Sequence, residues 1–164
     1  MTTVVYRDGV LAADTMITYG TTLMPGSTKK IHKLPNGALY GFTGSLEIGE
    51  VMRRHLVDVG QTSGVLEDRH DLKDENFEAL VVQPDGTTLF FENRTWMILK
   101  LPYVAMGSGK DYAYGALELG ASAKQAVKAA KALDANTGGR IVTLKAHAWK
   151  GSQSSVEQVW TEIE

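Results

Sequence analysis

The order of elements along this chain predicts an α+β fold, with antiparallel sheets and helices stacked on them. Three observations carry that expectation. Apolar, β-branched runs come in adjacent pairs around turn dipeptides such as Asp8-Gly9 and Asn36-Gly37. Helix-period segments are grouped, one in the middle and two together later, so strands and helices come in runs rather than alternating. Continuous βαβ alternation is missing, which argues against a Rossmann or TIM architecture.

Each element has a local reason. Thr2–Arg7 is an apolar strand, Asp8-Gly9 turns it, and Val10–Asp14 returns. A second pair is expected at Ser27–Leu34 and Ala38–Thr43 across Pro35-Asn36-Gly37. Leu46, Ile48, Val51, Met52, His55, Leu56 and Val59 recur at helical spacing, so Ser45–Val59 reads as an amphipathic helix ending at Gly60. Gln61–Asn76 is polar and acidic with little period and reads as a loop. Phe77–Val82 and Thr87–Glu92 form a hairpin across Gln83-Pro84-Asp85-Gly86, and Trp96–Met106 continues as strand, with Pro102 at an edge or bulge. Helices are expected at Lys110–Leu119 and Ala123–Leu133, the second opened by a capping box from Ser122 to Gln125. Strands at Arg140–Trp149 and Val156–Ile163 close the chain.

Composition bounds the function. At 164 residues, with 43% hydrophobic and 22% charged, the chain reads as one ordered domain, 1–164. A net charge of -2 gives no reason to expect nucleic acid or an anionic membrane as partner. No cysteine is present, which excludes disulfides, thiolate nucleophiles and Cys-based zinc sites. No apolar run approaches the ~18 residues of a membrane span and no secretory leader pattern is visible, so a cytoplasmic location is expected. No cofactor is expected: Gly109-Lys110 fails a phosphate-loop pattern at Val104 and Asp111, and a dinucleotide pattern fails at Tyr112. No metal is expected either, because His32, His55, His70 and His147 lack ligand spacing. Trp96, Trp149 and Trp160 read as core or interface residues.

The start is the most pointed chemical signal. Removing Met1 would leave Thr2 first, with a free α-amine of unperturbed pKa about 7.7–8.0 on the same residue as its hydroxyl. Such an amine can relieve the hydroxyl of its proton and activate it as a nucleophile. Met-Thr is a common start and carries little by itself. Five further segments change its weight: Leu11-Ala12-Ala13-Asp14-Thr15, Gly26-Ser27-Thr28-Lys29-Lys30-Ile31, Tyr40-Gly41-Phe42-Thr43-Gly44, Gly107-Ser108-Gly109 and Asp134-Ala135-Asn136-Thr137-Gly138-Gly139. In that order, from Thr2 to about Val142, the chain resembles the β-subunits of the proteasome and the bacterial ClpQ/HslV peptidase, both N-terminal nucleophile (Ntn) hydrolases.

The resemblance implies a four-layer α/β/β/α sandwich of two antiparallel sheets. One helical layer would be reduced, since Gln61–Asn76 stands where relatives have a second long helix. It implies that Thr2 is the nucleophile, that Lys30 lies beside it, and that Asp14 keeps Lys30 charged and oriented. Gly41 would supply the oxyanion N–H, Ser108 would help hold the threonine amine, and Asp134 and Thr137 match the Asp and Ser of the proteasome's Asp-x-x-Ser-Gly-Gly. The last motif is proteasome-like, with Thr137 where the proteasome has serine. Ile17, Thr28, His32, Leu39 and Thr43 would line the substrate pocket. The implied function is a threonine-type endopeptidase acting on polypeptide in a homo-oligomeric ring, with an ATP-driven unfoldase as partner and Met1 removed by an aminopeptidase. Val51, Tyr112, Tyr114 and Leu119 are its expected interface residues. Two other readings stay open: a small-molecule amidohydrolase, and a structural ring subunit without activity. Individually the residues also have plain roles: Asp14 as a solvated hairpin residue, the glycines as turn formers, Asp134 as a helix end.

Overall fold

The structure is a computed structural model that describes residues 2–60 and 72–146. Two antiparallel sheets pack face to face, with helices on both outer faces. The first sheet joins β1 (Thr3–Arg7), β2 (Val10–Ala13), β10 (Tyr103–Gly107) and β11 (Val142–Lys145) in the order β10-β1-β2-β11. The second joins β5 (Ile31–Lys33), β6 (Leu39–Thr43), β7 (Glu78–Val82), β8 (Thr88–Glu92) and β9 (Thr95–Leu99) in chain order. A small hairpin, β3 (Ile17–Tyr19) with β4 (Thr22–Met24), stands apart from both.

Strand alternation assigns the side chains to layers. Val4, Leu11, Ile31, Leu39, Leu80, Val82 and Met106 meet between the two sheets. Tyr40, Phe42, Ala79 and Val81 face the other way, onto Ile48, Met52 and Leu56 of α1 (Leu46–Val59). Val5, Ala12 and Ala105 face α2 (Lys110–Glu118) and α3 (Ala123–Leu133), whose Ala113, Leu117, Ala126 and Val127 are buried there. The expected four layers are present. Close approach of α1 rests on Gly49: a Cβ there would lie 2.3 Å from the Phe42 ring, and the adjacent Tyr40 hydroxyl donates to the Gly49 carbonyl at 2.8 Å. Helix ends follow their sequence signals, with Ser45 capping α1, Gly60 ending it in a left-handed conformation, and the Ser122–Gln125 capping box opening α3.

Several expectations need correction. The β3–β4 hairpin was not foreseen, because three-residue strands carry too few residues for a period. The expected strand Trp96–Met106 is two strands in different sheets: β9 ends the second sheet and β10 edges the first, with Leu101-Pro102 making the crossing. A proline cannot donate into a ladder, which is why the run divides there. Trp96 is a core residue, half-buried against Phe91. Most of Gln61–Asn76, the strand Val156–Ile163, the end of Arg140–Trp149, and His70, His147, Trp149 and Trp160 lie outside the described residues. Among the described residues α1 alone covers its sheet face.

Candidate active site

Strand β1 delivers Thr2 to the mouth of the space between the sheets, where it is 3% exposed. Asp14 follows β2, the strand paired beside it, and its backbone N–H donates to the Thr3 carbonyl at 3.3 Å. Lys30 precedes β5 in the opposite sheet. The two lysines of the pair point apart: Lys29 is exposed, whereas Lys30 is 3% exposed and reaches Thr2. Its Nζ donates to Thr2 Oγ at 2.5 Å, to Asp14 Oδ1 at 3.0 Å and to the Met16 carbonyl at 2.6 Å.

Asp14 is fully buried and its acceptor capacity is used completely. One oxygen takes the Thr2 hydroxyl, the Lys30 ammonium and the Thr3 backbone N–H; the other takes the Gly138 N–H at 3.0 Å. A buried carboxylate and ammonium are tolerated only when paired and hydrogen-bonded in this way. Burial pushes the Lys30 ammonium below its ordinary pKa, and the Asp14 charge partly restores it. The result is a lysine held in contact with a hydroxyl, in a site where a lowered pKa makes proton exchange easier than in water.

A second hydrogen-bonded chain backs the first. Ser108 Oγ donates to Asp134 Oδ2 at 2.6 Å and lies 3.5 Å from the Thr2 carbonyl oxygen. Thr137 Oγ donates to the same Asp134 oxygen at 2.6 Å and meets the Thr3 hydroxyl at 2.6 Å. These bonds, with burial opposing, hold the Asp134 carboxyl below its usual range. The loop after α3 is thereby tied to β1 through Thr3 and to the end of β2 through Asp14.

Two glycines fix the backbone approach. A Cβ on Gly107, at φ +94°, would lie 1.9 Å from the Thr2 carbonyl oxygen. A Cβ on Gly109 would lie 2.2 Å from Thr3 Oγ. Gly107→Ala is expected to destabilise the fold by about 2 kcal/mol or more, from strain and displacement of β1. Chemical denaturation checks it; wild-type stability in that variant would contradict the close approach.

Thr2 separates two cavities. One, of 340 Å³, is lined by Thr2, Met16, Ile17, Thr18, Tyr19, Thr28, Lys30, Phe42, Thr43, Gly44, Ser45, Leu46 and Glu47. The other, of 230 Å³, lies toward Ser108 and Glu78. Of the expected pocket residues, Ile17, Thr28 and Thr43 line the first cavity. His32 and Leu39 do not. His32 stacks with Tyr40, on the α1 side of the sheet, and Leu39 is fully buried between the sheets. The register explains the error: His32 and Leu39 lie further along β5 and β6 from the mouth than Phe42 and Thr43, which do line the cavity.

Gly41 is not brought to the site either. A Cβ there would meet Val4, Ile31 and Leu11 at 3.1–3.3 Å, deep between the sheets. The Phe42 N–H points toward the β5 side, donating to the Lys30 carbonyl at 3.1 Å. Alternation therefore turns the Gly41 N–H toward β7, within the ladder, whereas Gly44 stands past the end of β6, outside both ladders. Gly44 lines both cavities beside Thr2. Sequence reasoning missed Gly44, Thr3 and the Met16 carbonyl. Gly44 had a signal, a glycine ending a strand before a capped helix, but the pairing of β6 decides which glycine lies beside Thr2.

Comparison with solved structures bears on this arrangement. The protein "Thiobacillus denitrificans BPH" matches at 19% identity and a TM-score of 0.65, over 87% of this chain and 95% of that one. The same protein in complex with epoxomicin matches at 21% and 0.61, over 87% and 96%. Eukaryotic HslV from Trypanosoma brucei matches at 16% and 0.62, over 88% and 98%. The chain has the proteasome β-subunit/HslV fold. It is a sandwich of two antiparallel sheets between helices. No family model matches the sequence, and no curated protein matches it. With identities near 20%, the HslV fold is what is shared. Among the described residues no group of metal-ligating side chains is found, and no helix is long and apolar enough to cross a membrane.

Proposed function

We propose that this chain is a threonine-type peptidase of the proteasome/HslV kind, with Thr2 as nucleophile. The observation that carries the reading is the buried Thr2–Lys30–Asp14 contact, in which an ammonium and a carboxylate both touch one hydroxyl. It requires Thr2 to be the first residue. Its free amine then takes the Oγ proton as Oγ attacks a peptide carbonyl, with Lys30 favouring the free-base amine and stabilising charge on Oγ. The Gly44 N–H, in place of Gly41, donates to the oxyanion. Loss of such a donor costs a factor of ~10²–10³. The amine passes the proton to the leaving nitrogen as the C–N bond breaks, and water hydrolyses the ester on Thr2. Ser108, Asp134 and Thr137 hold the Thr2 backbone during these steps.

One of the similar structures is a complex with epoxomicin, which supports looking for a small-molecule ligand on this fold. The test is a β-lactone acylating agent applied to protein whose N-terminus is shown by mass spectrometry to be Thr2. An adduct on Thr2 is expected. An intact protein that never labels there would defeat the enzymatic reading and favour the structural one.

The likeness to HslV supports a homo-oligomeric ring that encloses the sites, acting on polypeptide in the cytoplasm with an ATP-driven unfoldase. On the helical faces, Tyr112, Leu119 and Leu133 are 44%, 93% and 65% exposed, a surface suited to contact. A monomer in light scattering at micromolar concentration would favour the small-molecule amidohydrolase.

The first cavity takes the side chain before the scissile bond. Met16, Ile17, Phe42 and Leu46 give it an apolar lining, and Lys30 places positive charge in its wall. Cleavage after leucine is expected to exceed cleavage after arginine by tenfold or more in kcat/KM. A fluorogenic panel preferring arginine would contradict it, with Glu47 at the rim then the residue to examine.

A further inference from the structure

The second cavity beside Thr2 is not used by the mechanism above. Its walls include Thr2, Thr43, Gly44, Glu78, Lys110 and Asp111. On β7, Leu80 and Val82 point into the inter-sheet core, so Glu78 in the same phase ends that row at the mouth where Thr2 lies. Glu78 is a carboxylate in a nearly closed position, 9% exposed. Its ion pair is loose: Lys110 Nζ stands 3.7 Å from Oε1, with the lysine side chain 43% exposed and the glutamate 11%. Glu92 lies directly across the ladder and adds a second negative charge. Burial, with Glu92 contributing, pushes the Glu78 carboxyl above its ordinary pKa, while Lys110 lowers it. A carboxylate left this incompletely compensated is at a cost that a ligand cation would relieve.

A further observation points to a ligand. Thr43 is 1% exposed and its hydroxyl has no hydrogen-bond partner. It stands opposite Glu78 in the β6–β7 register and lines this cavity. Buried hydroxyls are ordinarily satisfied, and this unsatisfied one belongs to a residue on the wall that the two cavities share.

Thr2, Thr43 and Gly44 border both cavities, so nucleophile and proposed oxyanion donor form the partition between them. A carbonyl set on that partition sends its acyl side into one cavity and its amine side into the other. We infer that the Glu78 cavity is the subsite for the residue on the leaving side of the scissile bond, and that Glu78 selects a cationic side chain there, lysine or arginine. The substrate cation displaces Lys110 toward solvent and takes its place against Glu78, with Thr43 supplying a further acceptor.

This inference rests on the peptidase reading, and one experiment separates the two. Internally quenched peptides identical except for lysine, leucine or aspartate after the scissile bond are cleaved by the full chain, N-terminus verified. Lysine is expected to be favoured over leucine by roughly tenfold in kcat/KM, the scale of one partly buried charge pair, and over aspartate by more. Glu78→Gln is expected to collapse the lysine-to-leucine ratio to within about twofold. Lys110→Gln, a change at a half-exposed site that keeps the fold testable, is expected to raise that ratio by removing the competing cation. A ratio near one in the wild type, a preference for aspartate, or ratios unmoved in both variants would overturn the inference while leaving the peptidase intact. If no peptide is cleaved and the β-lactone leaves Thr2 unlabelled, the peptidase reading fails and the subsite falls with it.

Discussion

On the proposed mechanism, Thr2→Ala is expected to abolish peptide cleavage, by at least a thousandfold in kcat, while leaving the fold and the wild-type assembly state unchanged. The reason is that the hydroxyl is the one atom touched by both Lys30 and Asp14. Removing a nucleophile removes the covalent route, and the residual rate is what binding and the oxyanion donor supply. The structural cost is small by comparison. Alanine leaves the Lys30–Asp14 contact at 3.0 Å and the Thr3 N–H bond to Asp14 at 3.1 Å in place, so the buried charges remain paired. The checks are peptide turnover, light scattering and a thermal melt on the same preparation. Undiminished turnover would sink the mechanism; lost assembly would show that Thr2 is a structural residue first.

Lys30→Ala should be as damaging to activity and far worse for stability, whereas Lys29→Ala should be nearly silent in both. Lys30 is buried among three acceptors; Lys29 is exposed on the other side of the same segment. Truncating Lys30 leaves Asp14 charged and buried without its cation, a loss of about 3–5 kcal/mol. Activity should fall by several orders of magnitude even in protein that remains folded at low temperature, because the charge beside Oγ is gone. Denaturant melts and kcat/KM, measured side by side, distinguish the two losses. A reversed pattern between the lysines would mean that the strand register is wrong by one residue. The pH dependence has a definite sign. Burial lowers the folded Lys30 pKa below its ordinary 10.5, so its ammonium is fully present only below that lowered value. Activity depending on the charge should therefore fall on an alkaline limb that begins below 10.5. The same shift makes the folded state release a proton before the unfolded one, so this group's contribution to stability rises, not falls, between the folded pKa and 10.5. A wild-type alkaline limb identical to that of Lys30→Ala would detach the rate from Lys30.

The sequence by itself determined the layers. Turn dipeptides such as Asp8-Gly9, the helical spacing from Leu46 to Val59, and the Ser122 capping box are local signals, and local backbone physics fixes what they build. It also brought Thr2, Asp14, Lys30, Ser108, Asp134 and Thr137 into one list, through short motifs whose residues the fold places together. Only the tertiary structure decided what faces Thr2. Gly41 and Gly44 are three residues apart, and in the motif they look interchangeable; pairing on both sides of β6 takes Gly41 into the ladder, whereas Gly44 lies past the strand end and lines the cavities beside Thr2. His32 and Leu39 were misplaced for the same reason, since a face is a property of pairing and not of proximity in the chain. Glu78 carried no signal in the sequence. It is a single acidic residue at a strand start, and it gains chemical meaning only because the second sheet is laid against the first so that the start of β7 meets the start of β1. Contacts of that kind join residues far apart in the chain, and no periodicity within either segment records them.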